Sequence, residues 1–435
     1  MGTYLSRTPG SAGNRKTMTF SCWVKRSGLS SFQSIISAGT NGATYSDDLS
    51  FQSSDTLMLD LITTSGRYQA QSSALFRDTA SWYHVVVAIN TTAASNRMLV
   101  YVNNEQVAVN SGGIPQNQDI TFNNNTLQEI GRRGSNSSNF GSYYLTDFNF
   151  IDGQALTPST FGETDSTTGE WKPKVDFTGL TYGTNGFRLQ FGNAAALGTD
   201  TSGQSNNFTV NSAGTNAKTV DTASNNFVTW NPLVNRSFQY PMTLSEGNLK
   251  VIADSNASFG STMAGTVSLG KGKWYWEFKY TTSGTGGYVV GWGEDTYNFN
   301  YQADAYPYKG DLGSSSGVFY RADGGKAVNS VESSGAGDAW AQNDIIGVAA
   351  DFDASTITFY NQGVSQFTVT SAFTSTVKYY PEFYGYGSKG GQANFGNPPY
   401  TIASGNADAN GYGNFEYAVP SGYYALCTKN INQYG

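Results

Sequence analysis

Trp274, Trp276, Phe278 and Tyr280 fall on every second position of one short run. A period of two places successive side chains on opposite faces of a strand. Four large rings on one face need a second layer to cover them, so the chain must build stacked sheets. The same period returns at Ile346, Val348, Ala350 and Phe352, and at Met18, Phe20, Cys22 and Val24. Composition agrees. Charged residues make up 13% of the chain, against a usual ~25%. Aromatic residues reach 14%, and Gly, Ser, Thr and Asn fill much of the remainder. Thr, Tyr, Phe and Trp fit a pleated, half-buried surface, while Gly and Asn fit tight turns. An all-β chain is expected, and no heptad repeat suggests a coiled-coil stalk.

The 435 residues allow two or three domains. Residues 1–160 carry strand signals at Met18–Val24, Leu57–Ile62, His84–Ile89, Leu99–Val102 and Tyr143–Ile151, each bounded by Gly, Asn or Ser. Residues 161–245 are poorer in apolar side chains, and stretches such as Gly198–Phe208 favour a connector. A long structureless loop is unusual in a compact domain. Trp171, Tyr182, Phe187, Leu189 and Phe191 therefore suggest an ordered connector that packs on a neighbour. Residues 246–435 form the last unit. There Asp353-Ala354-Ser355 turns a hairpin into Thr356–Tyr360, and Ala425–Ile431 has the pattern of a closing strand.

Net charge is −7, and Lys and Arg occur only in short pairs such as Lys25-Arg26 and Arg132-Arg133. A nucleic-acid binder needs a basic face to displace counterions, so nucleic acid is not an expected partner. The longest apolar run, Val85–Ile89, has strand length, so no membrane insertion is expected. Met1–Arg7 has no apolar segment of signal-peptide type, which favours assembly in a cytoplasm. Cys22 and Cys427 make no disulfide scaffold, and their spacing leaves open whether they pair.

The C-terminal order of motifs resembles the SPRY domain. It runs Lys273–Phe278, Gly287–Gly293, Asp344–Asp353, Thr356–Gly363, Asn394-Phe395-Gly396 and Pro420–Leu426. The N-terminal order resembles a LamG or concanavalin A-like lectin/glucanase jelly roll, on Thr19–Lys25, Trp82–Val86, Leu99–Asn104, Ile130-Gly131 and Phe148–Gly153. These resemblances imply an all-β fold: two β-sandwich (jelly-roll) domains, LamG/concanavalin A-like then SPRY-like, joined by an ordered Gly/Asn-rich connector. The whole combination is similar to virion proteins of tailed bacteriophages, notably marine ones. Tyr4–Thr17, Phe150–Pro158, Tyr182–Phe187 and Ser224–Phe227 carry that likeness. It implies a non-enzymatic structural protein on the virion surface, assembled in the host cytoplasm. Its role would be a tail fibre or similar appendage for host-surface glycan attachment, or a capsid decoration or head fibre. Other virion proteins, host cell-surface glycan or protein, and further copies of the chain are the partners implied.

His84 is the only histidine, so a nucleophilic triad would have to use it. It alternates with Trp82 and Val86 inside a strand, which is the position of a packed side chain. Glucanases on this jelly roll pair two carboxylates. The nearest pattern, Glu163-Thr164-Asp165 with Glu170, has the wrong spacing, and Asp351 and Asp353 flank a hairpin turn. A polysaccharide-cleaving enzyme is thus the weaker alternative, and no catalytic residue is assigned. Asn406–Gly411 with Glu416, and Asp47-Asp48, have a faint calcium-loop character that turn chemistry equally explains. No metal or cofactor is expected. The ligand- or partner-binding candidates are aromatic: Tyr297, Phe299, Tyr301, Tyr306 and Tyr308, interleaved with Asn and Asp, and Tyr384 and Tyr386 among glycines. Such rings stack on sugars or fill protein interfaces, and they equally suit a loop's own core.

Overall fold

The computed structural model describes residues 2–109, 113–212, 217–235, 241–255, 260–284, 288–294, 317–329 and 331–435. Regular structure is nearly all strand. The chain divides into two compact units, Met1–Lys218 and Thr219–Gly435. The division falls inside the stretch 161–245: its first part packs within the first unit and its last part within the second.

The first unit stacks two sheets. One has seven strands in the order Thr209–Asn211, Tyr4–Arg7, Gln128–Ile130, Gln33–Ala38, Ser46–Phe51, Leu57–Thr63, Gly66–Gln71. The other has six, in the order Phe187–Leu189, Tyr143–Asp152, Thr17–Arg26, Tyr83–Asn90, Met98–Val102, Glu105–Val109. Met18, Phe20, Cys22 and Val24 face inward and pack with Leu49, Phe51, Leu57, Leu59 and Leu61. Each such buried side chain contributes about 1.5–3 kcal/mol of apolar transfer. Arg26 continues the same inward row. Its guanidinium is fully buried, 3.0 Å from the Asp55 carboxylate, which also accepts from Ser30 N at 2.7 Å and Arg77 Nε at 3.0 Å. The outer face of the six-stranded sheet is covered by its own chain. Phe161 and Tyr182 pack on Val86 and Ile151, and a ribbon of Gly162–Thr164 with Trp171–Pro173 lays Trp171 over His84.

Three of the motif stretches singled out in the sequence meet at Asp152. Its Oδ1 accepts from Asn14 N at 2.8 Å and Asn123 Nδ2 at 2.6 Å, and its Oδ2 accepts from Asn185 N at 3.1 Å. Asn185 Nδ2 donates in turn to Ser11 O at 2.9 Å and Asn123 Oδ1 at 2.8 Å. Gly183 sits at φ +75°, where a Cβ would lie 2.4 Å from Asp152 O, so the turn requires glycine. Tyr4–Thr17, Phe150–Pro158 and Tyr182–Phe187 are thus one hydrogen-bonded corner of the sandwich.

The second unit also stacks two sheets. The seven-stranded one runs Trp230–Asn235, Ser261–Gly265, Tyr379–Gly385, Tyr288–Glu294, Gly317–Arg321, Lys326–Val328, Val331–Ser333. The eight-stranded one runs Thr243–Ser245, Lys250–Ile252, Gly390–Asn394, Lys273–Tyr280, Ile345–Asp351, Thr356–Asn361, Val364–Thr370, with Tyr424–Ala425 added parallel to Lys273–Tyr280. The alternating rings Trp274, Trp276, Phe278 and Tyr280 enter the core beside Trp230, Trp292 and Trp340. Trp230 meets Trp276 edge to face at 6.0 Å. The hairpin turn forms as its sequence implies, with Asp351 opposite Thr356 and Ala354 N donating to Asp351 Oδ1 at 2.9 Å.

The chain end corrects one expectation. Only Tyr424–Ala425 is strand; Thr428–Tyr434 is a helix. Asn430 donates to the Asp408 carboxylate and to Ala425 O, and Asn226 N donates to Thr428 Oγ1. Ile431 and Tyr434, three apart, both rest on the core. That spacing belongs to a helix, and Cys427 forms a bridge with Phe227 instead of extending the strand. Cys22 and Cys427 are free thiols, each buried in its own unit. No helix among the described residues is long and apolar enough to cross a membrane.

Candidate functional site

The strands Tyr288–Glu294 and Gly317–Arg321 are neighbours in the seven-stranded sheet, and the aromatic segment lies between them in the chain. Tyr297, Phe299, Tyr301, Tyr306 and Tyr308 lie outside the described residues. Tyr384 and Tyr386 follow from Tyr379–Gly385, the other neighbour of Tyr288–Glu294. Glu294 lies opposite Tyr379 and Tyr288 opposite Gly385. The chain therefore leaves for the segment 295–316 at one end of that strand, and Tyr384, opposite Val289, sits near the other, roughly 17 Å away at about 3.3 Å per residue. Tyr384 is buried with Val289, Phe319 and Ala327 on the outer face of the sheet, and half-buried Tyr386 packs on it with ring centroids 6.3 Å apart. Lys389 Nζ donates to Ser283 O. Val289, Phe319 and Ala327 were not legible as members of this patch, since each alternates with a core residue of its own strand.

Glu382, on the same outer face, is also fully buried. It lies opposite Gly291, and a Cβ on Gly293 would come within 2.1 Å of its Oε2. Gly293 makes room for this carboxylate, whereas a Cβ on Gly291 would meet Val318 O at 2.0 Å.

The histidine is built for packing. Trp171 Nε1 donates to His84 Nδ1 at 3.0 Å, which makes Nδ1 the acceptor. The neutral ring then carries its proton on Nε2 and donates to Ser21 Oγ at 2.9 Å. A general base would have to accept from Ser21, so this geometry is the reverse of an activated serine. Burial holds the imidazole well below its ordinary range, to about 3. It stacks on Trp23 with centroids 4.6 Å apart.

The carboxylates are likewise committed to structure. Asp165 accepts from Lys172 Nζ at 2.8 Å and from the Thr167 and Thr168 amides, which fixes the turn of the Trp171 ribbon. Lys172 holds its carboxyl below the usual range. Asp351 pairs with Lys273 at 2.9 Å, and Asp353 accepts from Gly272 N. In the loop 406–416, Asp408 accepts from Asn410 N, Tyr412 N, Ala425 N and Asn430 Nδ2. Glu416 accepts from Ala403 N. These N–H donors occupy the lone pairs that a calcium ion would need. Asp47 and Asp48 point to opposite faces of their strand. Asp47 accepts from Phe122 N at 2.5 Å, whereas Asp48 accepts from Ser34 Oγ at 2.5 Å and lies opposite Asp60. They do not converge on one point. Among the described residues no group of His, Cys, Asp and Glu is arranged to hold a metal ion.

Among the described residues Glu277 is a carboxylate with five hydrogen-bond donors. It is fully buried on the outer face of the strand Lys273–Tyr280. It accepts from Glu416 N at 3.0 Å, Tyr417 N at 2.9 Å, Asn394 Nδ2 at 3.1 Å, Tyr275 Oη at 3.2 Å and Tyr400 Oη at 3.4 Å. Glu277 ties the loop 400–417 to the eight-stranded sheet, alongside Asn394 Nδ2, which donates to Asn414 O at 2.9 Å, and Asp408, which accepts from Ala425 N. Burial raises the Glu277 carboxyl, and the donors work against that rise.

Comparison with known proteins follows this division of labour. Residues 2–160 match the family model of the concanavalin A-like lectin/glucanases superfamily. Residues 273–398 match the SPRY domain model. No curated protein matches the chain. Among solved structures, the SPRY domain of human HERC1 is 18% identical with a TM-score of 0.30, covering 38% of this chain and 94% of that one. A human SPRY domain is 15% identical with a TM-score of 0.27, covering 37% and 97%. A heptameric SAP-like pentraxin from Limulus polyphemus is 17% identical with a TM-score of 0.28, covering 36% and 72%. The chain thus joins a concanavalin A-like domain to a SPRY domain, two modules that fit carbohydrate or protein binding rather than catalysis.

Proposed function

We propose that this protein is a non-enzymatic structural protein on the exterior of a bacteriophage particle, serving as a tail fibre or similar appendage that attaches to host-surface glycan. The observation that carries the reading is the presence of two binding modules in one chain, at residues 2–160 and 273–398. The commitment of His84, Asp165, Asp351, Asp408 and Glu277 to packing and backbone hydrogen bonds supports a role without chemistry. The phage-like stretches around Asp152 support the virion placement. Their hydrogen-bonded corner gives a physical reason for those residues to occur together.

Glycan contact falls to the aromatic segment 295–316, where Tyr and Phe offer faces for sugar stacking and Asn and Asp offer hydrogen bonds to hydroxyls. The chain assembles in the host cytoplasm with other virion proteins and is displayed in repeated copies on the virion surface. A capsid decoration or head fibre is the second placement. It is favoured because the α-helix among the described residues is the short Thr428–Tyr434, so these residues supply no helical stalk. The test is adsorption. Tyr301→Ala with Tyr306→Ala should lower attachment of particles to host cells while the variant chain still enters particles. Unchanged adsorption and unchanged assembly would remove the aromatic segment from the account.

A further inference from the structure

Stacked sheets leave edge strands whose free N–H and C=O groups invite pairing, and proteins usually blunt them with charge, proline or brevity. In the first unit the edges are Thr209–Asn211 and Phe187–Leu189, three residues each, Gly66–Gln71, which carries Arg67, and Glu105–Val109, which begins on a glutamate. In the second unit, Trp230–Asn235 contains Pro232, Val331–Ser333 is three residues with Glu332 at its centre, and Thr243–Ser245 is three residues.

The remaining edge is different. Val364–Thr370, Val-Ser-Gln-Phe-Thr-Val-Thr, has seven residues with no charge, no proline and no glycine. Its side chains are the β-branched and aromatic types that pair best. Among the described residues its one strand partner is Thr356–Asn361. A bulge beside Gln366 interrupts the ladder, and Gln366 turns aside to accept from Asp338 N at 2.8 Å. Beyond it, Phe367–Thr370 pair one to one with Thr356–Phe359, which leaves a regular edge. Phe367 and Val369 face the core side, while Thr368 and Thr370 are exposed. Val364, where the strand begins, is 64% exposed.

We propose that this edge pairs antiparallel with the same edge of a second copy of the chain, about a two-fold axis, joining two eight-stranded sheets into one. Two observations and one rule of symmetry favour a second copy over an unlike partner. The strand itself carries no charged side chain, and the charges beside it are one of each sign, Lys326 over the Phe367 ring and Asp338 next to Gln366, so like against like meets no net repulsion. An antiparallel strand pair is self-complementary and closes as a dimer. The Thr358 and Thr368 hydroxyls already lie 2.9 Å apart across the ladder. A second copy extends that threonine row, one of the favourable cross-strand pairs. The inference does not depend on the virion placement, since it holds for this chain wherever it is found.

A contact of a few strand residues is smaller than a standard stable interface, so the isolated chain should associate with a Kd on the order of 10–100 µM. Sedimentation velocity of the full chain across that range tests the pairing. The weight-average mass should climb from one chain towards two. Thr368→Lys with Thr370→Lys, both at exposed positions, should weaken association at least about tenfold. Val364→Lys, on the other side of the bulge, gives a second variant, and near-UV circular dichroism reports whether each variant is folded. A wild-type chain that stays monomeric at about 200 µM overturns the proposal. So does a dimer that folded lysine variants leave unchanged, and so does a monomer that instead captures an unrelated extended peptide at this edge.

Discussion

Glu277→Ala is the most informative single change in the second unit. The wild-type carboxylate is buried and accepts from two backbone amides, Glu416 N and Tyr417 N, and from Asn394, Tyr275 and Tyr400. Truncation strands those amides above an apolar patch that includes Tyr275, Phe415 and Ala425. A buried N–H left without a partner costs about 1–3 kcal/mol. Relief of the desolvated carboxylate returns part of this. The two amides together therefore predict a loss of about 3–4 kcal/mol, concentrated in the loop 400–417. Glu277→Gln keeps one acceptor and sheds the buried charge, so it should lose about half as much. Hydrogen exchange with mass spectrometry reads the loop directly. Exchange at Glu416 and Tyr417 should accelerate at least about 100-fold in Glu277→Ala, since 1.4 kcal/mol is tenfold. Exchange in Met18–Val24, in the other unit, should stay the same. If the loop kept its protection, or if Gln and Ala behaved alike, the carboxylate would not be the fastening.

Four further outcomes follow. Burial raises the Asp47 carboxyl from its ordinary value to about 8, so the folded unit holds a proton that the unfolded chain releases near pH 4. The folded form then binds more protons between those values, and this group's contribution to stability falls as pH rises from about 4 to about 8. Asp47→Asn should flatten that decline in melting temperature, and an unchanged pH profile would contradict it. Asp55→Ala should cost about 3–5 kcal/mol in urea unfolding because it leaves Arg26 charged and buried, while Arg26→Met with Asp55→Leu should recover most of the loss. Ser21 should stay unmodified by a serine-directed fluorophosphonate in mass spectrometry, because His84 donates to it; labelling at Ser21 would reverse the tautomer argument. The edge dimer, read by sedimentation, is the fourth.

Much of the fold was legible because one face of many strands is apolar. Met18–Val24, Trp274–Tyr280 and Ile346–Phe352 were visible by alternation, and His84–Ile89 and Leu99–Val102 as apolar runs of strand length; their strands extend those spans by a residue or two or end one short. Gln33–Ala38 and Ser46–Phe51 were not. Their outward residues Ser34, Asp48 and Ser50 are polar yet buried, so the run Ser46-Asp47-Asp48 imitates a turn. The C-terminal helix was hidden because Ala425–Ile431 has no helical pattern until Ile431 and Tyr434 are seen to share a face. The structural role of His84 followed from alternation, but its tautomer depends on Trp171, 87 residues away. No local signal announces Glu277 either, since its donors come from residues more than a hundred positions distant as well as from beside it. Side chains that bridge sheets and loops are set by topology, and topology is what periodicity leaves open.

The proposed display of this chain on a particle can be measured without knowing its ligand. Particles purified from the source that encodes it, labelled with gold-conjugated antibody raised against the chain and viewed intact by electron microscopy, should carry gold on the outer surface, at the tail or over the capsid. Intact particles without label, from preparations in which mass spectrometry finds no trace of the chain, would contradict the account.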